Sequence, residues 1–210
     1  MKRIVLISLP GAGKGTLAEM ISSRYNYSKV VAGDLVRAEV AGGSETGLAV
    51  KDLVAKGMLV PDEIIIKLIR ERISRNDFNK GYILDGFPRT IVQAKMLETI
   101  PVEKEHIVYL EIPSEVIIQR TLNRIVCQNC GAIYNLLTMP PERDNICDKC
   151  EGYLGLRADD SQEVITRRLE VFKAQTAPIL DFYRELGVLL TLDAQGTPQE
   201  VFFRFLEIYS

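Results

Sequence analysis

Histidine is almost missing from this chain. His106 is the only one in 210 residues, so chemistry built on an imidazole acid or base has a single candidate, and an ordinary histidine at a strand start is the simpler reading of it. Long apolar runs are missing as well: none approaches the ~20 residues of a membrane span. The run from Ile4 to Leu9 is too short for the apolar part of a secretory signal and leads straight into a glycine-rich turn. A soluble, cytoplasmic protein with no membrane partner is expected. A basic excess is absent too, because 26 Lys and Arg stand against 28 Asp and Glu for a net charge of −2. That balance leaves no overall footprint for nucleic acid. Neither a repeat of 20 to 50 residues nor a low-complexity tract is visible.

What is present is concentrated in a few places. Ile4-Val5-Leu6-Ile7 reads as a strand buried on both faces. It leads into Leu9-Pro10-Gly11-Ala12-Gly13-Lys14-Gly15-Thr16, and Leu17 to Ile21 beyond has the composition of a helix start. Strand, glycine-rich turn, helix is the context of a phosphate-binding loop. Gly11, Gly13 and Gly15 let the backbone turn its N–H groups inward on a polyphosphate, and the dipole of the following helix adds to the attraction. Lys14 supplies a point charge for the terminal phosphates, and Thr16 a hydroxyl for a magnesium ion bridging them. The match to G-x-x-x-x-G-K-[ST] is imperfect: Ser8 stands at the first glycine, and Gly15 is inserted before Thr16.

Four apolar runs read as parallel strands: Ile4 to Leu9, Tyr82 to Leu84, Ile107 to Ile112 and Val188 to Leu192. Helical spacing separates them, with Ile64, Ile65, Leu68, Ile69 and Ile73 after Pro61 and Asp62, and Ile165, Leu169, Phe172 and Thr176 later. Pro178 should kink the second of these helices. Alternation of this kind predicts a doubly wound parallel α/β sheet, whose ligands bind at the carboxyl ends of the strands. Residues 31–60 and 122–160 do not fit the alternation. They read as two insertions on one core formed by residues 1–30, 61–121 and 161–210.

Cys127-x-x-Cys130 and Cys147-x-x-Cys150 are 16 residues apart, the spacing of a four-thiolate zinc knuckle. Four thiolates leave no open position on the metal, so such a site is structural. Two disulfides are the competing reading, disfavoured in a chain that looks cytoplasmic. An insertion of this size has little core of its own, and a metal substitutes for packing. Leu84-Asp85-Gly86-Phe87-Pro88-Arg89 puts a carboxylate and a guanidinium at the same sheet edge. Asp85 suits magnesium through water ligands, and Arg89 a bidentate phosphate clamp.

The combination of P-G-A-G-K-G-T, G-D-L-V-R at 33 to 37, D-G-F-P-R-T-I-V-Q at 85 to 93 and R-A-D-D at 157 to 160 resembles the adenylate kinase family, in its bacterial form with a zinc-bearing lid. The likeness runs over essentially the whole chain. It implies a P-loop core of three layers, with residues 31–60 as the nucleoside-monophosphate (NMP) insertion and 122–160 as the lid. It implies a monomer that moves a phosphoryl group from MgATP to AMP to give two ADP, with structural Zn2+ in the lid. By matching position, Lys14, Arg89, Arg124, Arg157 and Arg168 would neutralise phosphates, Arg37 and Arg89 would anchor the AMP phosphate, and Gly86, Phe87 and Pro88 would line its site. Met58, Leu59, Val60 and the Gln93 amide would read the adenine, while Ile133, Tyr134 and the backbone near Gly196 would meet ATP. Three positions depart from the family: Ser8 at the first loop glycine, Leu17 where Gln is usual, and Ala32 where Thr or Ser is common. Ala32 is shared with UMP/CMP kinases and Gln93 with adenylate kinases, so a pyrimidine-nucleotide kinase is the alternative. An NTP-binding zinc-knuckle interaction module is a weaker one, since residues 127–150 hold one aromatic, Tyr134, and two basic residues, Arg143 and Lys149.

Overall fold

The computed structural model describes residues 2–75, 78, 80–156 and 161–209. Lys2–Ser8 forms β1 and Lys14–Tyr25 forms α1, joined by the glycine-rich turn. The edge strand β2, Ser28–Val31, leads into two short helices, α2 (Ala32–Gly42) and α3 (Glu45–Ala55). Gly43 ends α2 in the left-handed conformation and Ser44 caps α3 by accepting from the Gly47 N–H at 2.9 Å. Helix α4 (Asp62–Ile73) opens after Pro61 with Asp62 and Glu63 in its first turn, where the helix dipole favours negative charge. Then come β3 (Gly81–Asp85), α5 (Ile91–Glu98), β4 (Lys104–Glu111) and α6 (Ser114–Leu122).

Next come β5 (Arg124–Cys127), β6 (Ile133–Asn135) and β7 (Leu154–Leu156), an antiparallel sheet with β5 in the middle. Helix α7 (Gln162–Val171), a π-helical segment (Phe172–Thr176) and α8 (Ala177–Glu185) then lead to β8 (Leu189–Asp193) and α9 (Pro198–Tyr209).

The main sheet is parallel throughout, in the order β2-β3-β1-β4-β8, with helices packed on it. Its central strands are apolar on both faces, as burial between two helix layers demands: Ile4, Val5, Ile83, Leu84, Ile107 and Val108 are fully buried. The doubly wound P-loop α/β architecture expected from the alternation is the one observed.

Three features differ from the expectations or sharpen them. The edge strand β2 was not among the four apolar runs. Its first two residues are Ser28 and Lys29, and it pairs on one side only, so its composition carries little apolar signal; ending at Val31, it reaches one residue into the segment assigned to the insertion. Strand β1 starts at Lys2 rather than Ile4 because Arg3 is buried, ion-paired to Glu105, its register partner on β4, and donating to the Ile100 carbonyl at 3.1 Å. The expected break at Pro178 takes the form of the π-helical turn just ahead of it. Proline lacks the N–H that would bond residue 174, and its ring crowds that carbonyl.

Candidate functional site

The carboxyl ends of β1 and β3 open into a cleft of about 1420 Å3, lined also by residues between 31 and 60 and between 124 and 156. A single small-molecule pocket is typically ~300–1,000 Å3, so this one has room for two ligands.

The glycine-rich turn forms its floor. Gly11 has φ +89°, and a Cβ there would lie 2.2 Å from the Thr121 hydroxyl, so backbone conformation and space both demand glycine. Gly13, at φ +96°, is the N-cap of α1. The side chain of Lys14 folds back over the turn, donating to Ser8 Oγ at 2.8 Å and to the Ser8 carbonyl at 3.3 Å. Ser8 Oγ in turn donates to the Leu9 carbonyl at 2.7 Å. The residue that departs from the general loop pattern thus supplies an acceptor for the lysine. Nothing in the structure explains Leu17 in place of Gln beyond its burial.

Charge converges on this floor. Burial pushes the Lys14 ammonium down to about 8, Arg89, Arg124 and Arg168 push it the same way by repulsion, and only the Asp85 carboxylate opposes them. These residues come from distant parts of the chain: Asp85 ends β3, Arg89 follows it in the loop before α5, Arg124 opens β5 and Arg168 lies on α7. A buried lysine with three arginines close enough to repel it creates a field that polyanionic phosphate relieves. Arg157 lies outside the described residues.

Across the cleft, Arg37 on α2 is ion-paired to Asp34, and Ala32 is buried at the first turn of the same helix. Met58, Leu59 and Val60 line the wall. Gln93 is only 2 % exposed. Its Oε1 accepts from the Arg89 N–H at 2.7 Å, and its Nε2 donates to Asp62 Oδ1 at 2.7 Å. Gly86, Pro88 and Arg89 line the cleft, with Arg89 Nε donating to the Gly86 carbonyl at 2.8 Å. Phe87 does not: its ring is fully buried, and an apolar side chain anchors the loop to the core rather than meeting a ligand.

The remaining residues expected at the site, Ala12, Gly15, Thr16, Ile133, Tyr134 and Gly196, all border the cleft. His106 does not. It is buried in β4 against the Tyr209 ring, 4.7 Å between centroids, and burial with the neighbouring Lys104 and Lys2 holds its pKa below the usual value.

Two residues escaped the reading of the sequence. Arg120, on α6, donates to the Ala194 carbonyl at 3.1 Å and the Gly196 carbonyl at 2.9 Å, and so fixes the loop after β8 against the cleft. Its position four residues before Arg124, near the end of α6, was the available signal. Thr176, in the π-helical segment, donates to the Arg89 carbonyl at 3.0 Å. The Arg89 backbone is therefore held at its N–H by Gln93 and at its carbonyl by Thr176. Replacing Thr176 by Val keeps the shape and removes the donor; a loss of ~1 kcal/mol of stability is expected from the shift in denaturant midpoint.

The four cysteine Sγ atoms lie within 4.8 Å of one another. Cys127 to Cys150 is 3.5 Å and Cys130 to Cys147 is 3.6 Å, close to the roughly 3.8 Å between thiolates on a tetrahedral ion with 2.3 Å bonds. A disulfide needs about 2.05 Å, so the two-disulfide reading is set aside. The Tyr134 hydroxyl, 3.5 Å from Cys147 Sγ, draws that thiol down to about 6, helped by the backbone of Lys149 and Cys150 and opposed by burial. Around the cluster the knuckle's own core is Ile125, Tyr134 and Leu154 with Cys127 and Cys147, too small to hold three strands together by packing alone. The residues fit a structural metal ion such as zinc.

Comparison with known proteins agrees with this geometry. The adenylate kinase family model matches residues 6–188. The chain is 42% identical to an adenylate kinase of Geobacillus sp. (strain WCH70) over 209 residues, covering 98% of this chain and 97% of that one. It is 44% identical to an adenylate kinase of Methanosarcina acetivorans over 203 residues, 95% of this chain and 94% of the relative. A third adenylate kinase, from Caldicellulosiruptor bescii, is 41% identical over 197 residues, 92% of each. The family model and the relatives, matched along nearly the whole chain, place it in the adenylate kinase family, as an enzyme that transfers phosphoryl groups to nucleoside monophosphates.

Proposed function

We infer that the enzyme transfers the γ-phosphoryl group of MgATP reversibly to AMP, giving two ADP. The observation that carries this reading is Gln93, a buried amide on the acceptor wall with a hydrogen and a lone pair still to offer, across the cleft from Lys14 and its arginines. In this reading ATP lies over the glycine turn, its phosphates met by the N–H groups of residues 11–16, Lys14, Arg124 and Arg168, and its adenosine by Ile133, Tyr134 and the backbone near Gly196. Arg37 and Arg89 hold the AMP phosphate, and Ala32, Met58 to Val60, Gly86, Pro88 and Gln93 surround its nucleoside. Arg157 belongs with the phosphate clamp by position in the chain alone.

Magnesium, when bound with ATP, would neutralise charge on the bridging phosphate oxygens, with Thr16 and Asp85 as the residues placed to hold it or its waters. The rest of the work is positioning and charge stabilisation. The arginines meet negative charge as it develops on the transferred group, and closure of residues 122–160 and 31–60 around residues 1–30, 61–121 and 161–210 keeps water from taking the phosphoryl group instead. No strong base is needed, which suits a cleft without histidine. Zinc in the knuckle is read as structural. No described helix is long and apolar enough to cross a membrane.

The second reading, a UMP or CMP kinase, has Ala32 in its favour. The hydroxyl common at that position in adenylate kinases is replaced here by a methyl group. Steady-state assays with MgATP and AMP, UMP, CMP or GMP decide between them. AMP is expected to lead in kcat/KM by on the order of 100-fold, because a buried polar pair left unmatched is costly; preference for UMP or CMP overturns the assignment. The interaction-module reading is weakened by Tyr134, whose hydroxyl is turned into the knuckle, where it accepts from the Asp148 N–H at 2.9 Å.

A further inference from the structure

Gln93 is unusual in having partners of opposite and fixed character at its two ends. The backbone N–H of Arg89 can only donate, so the atom facing it at 2.7 Å must be the amide oxygen. The carboxylate of Asp62, on α4, can only accept, so the atom facing Oδ1 at 2.7 Å must be the amide nitrogen. Asp62 is itself held. Thr90 Oγ1 donates to both of its oxygens at 3.1 Å. The Thr90 hydroxyl must be the donor there, because a carboxylate only accepts, and its oxygen also accepts from the Gln93 backbone N–H at 3.2 Å as the N-cap of α5. A flipped amide would set N–H against N–H at one end and oxygen against carboxylate at the other.

This arrangement has a consequence for the base. With one hydrogen on Nε2 and one lone pair on Oε1 left over, the amide offers a donor and an acceptor in a fixed order. Adenine presents an acceptor at N1 and a donor at its 6-amino group, which that order matches. Hypoxanthine and guanine present a donor at N1 and an acceptor at O6, which it opposes.

We propose that Asp62 is a positioning residue for base selection: with the Arg89 N–H, it locks the Gln93 amide in the orientation that accepts a 6-aminopurine and rejects a 6-oxopurine. The proposal rests on the reading of this wall as the AMP site. Cytosine shares the amino pattern, so the lock sorts amino from oxo bases and leaves purine against pyrimidine to the shape of the wall.

The test compares AMP with IMP, which have the same size and the same phosphate, using MgATP as donor. In the unaltered enzyme AMP is favoured. In Asp62→Ala the amide is released at one end; the AMP:IMP ratio of kcat/KM is expected to fall about tenfold, mostly through KM for the monophosphate, with KM for ATP within about twofold. Asp62→Asn keeps one acceptor oxygen and should restore most of the ratio while preserving the start of α4, which separates lost orientation from lost folding. In a Gln93→Ala background, Asp62→Ala should change the ratio no further. An unchanged ratio in Asp62→Ala, an Asn variant as impaired as Ala, or an undiminished effect without Gln93 overturns the lock. If the unaltered enzyme uses IMP as well as AMP, the lock fails alone; if it prefers UMP or CMP to AMP, the AMP reading itself fails, and the lock with it.

Discussion

Replacing Lys14 by Met is expected to lower kcat/KM for MgATP by on the order of 1,000-fold, the loss typical of removing a preorganised charge from a transition state. The enzyme should stay folded, because the ammonium is an electrostatic burden on the empty protein. Its pKa is depressed to about 8 by burial and by Arg89, Arg124 and Arg168. A lysine whose folded pKa lies below its ordinary value destabilises the fold while protonated, and that penalty is relieved as pH rises from about 8 toward the usual lysine range. Bound phosphate relieves it at neutral pH instead, so ATP should raise Tm in the unaltered enzyme far more than in Lys14→Met. The same titration governs activity with opposite sign. The charged form binds phosphate, so kcat/KM for MgATP should decline along an alkaline limb centred near pH 8, the pKa of the free enzyme. Lys14→Arg, whose guanidinium stays charged, should lack that limb even though its bulk lowers the absolute rate. A limb that persists in the Arg variant would assign it to another group.

Loss of the knuckle's metal should produce the second large effect. Cys127→Ser with Cys147→Ser removes two of four thiolates placed within 4.8 Å of one another. The sheet of β5, β6 and β7 would then rest on Ile125, Tyr134 and Leu154. Structural zinc in small domains is worth ~10–16 kcal/mol of apparent binding free energy, so most of the knuckle's order should go with it. The core has its own packing and should melt separately, giving a low, broad first transition ahead of the main one. The main Tm should fall less, by about 2–4 °C for each ~1 kcal/mol of contact that the core loses with the knuckle. Metal content of about one zinc per chain in the unaltered protein and none in the variant completes the measurement. Equal melting curves, or no metal in the unaltered protein, would remove zinc from the account. Activity should drop as well, because Arg124 opens β5, and a disordered knuckle would no longer hold it at the cleft.

Much of the site could be read from the chain because its parts are local. The strand, the glycine turn and the helix from Lys2 to Tyr25 are contiguous, and the cysteine pairs have the spacing their geometry requires. Strand β2 was harder. Four residues with two apolar side chains at a sheet edge give no periodicity to detect, and only pairing with β3 makes them a strand. Phe87 shows the opposite limit, for it sits inside a motif of the site yet its ring belongs to the core. Arg120 looked like one arginine among several until the loop after β8 was seen to hang on it.

The order of residues alone determined the glycine-rich turn between strand and helix, the alternating α/β core and the four-cysteine cluster. Each depends on neighbours within a few tens of residues, where spacing dictates geometry. Tertiary structure decided how the site is tuned: the depressed Lys14, the Arg89 backbone held by Gln93 and Thr176, and the amide orientation imposed by Asp62. Those effects join residues from Ser8 to Thr176 through hydrogen bonds and fields that fall off over a few ångströms, and only the folded chain brings such groups that close.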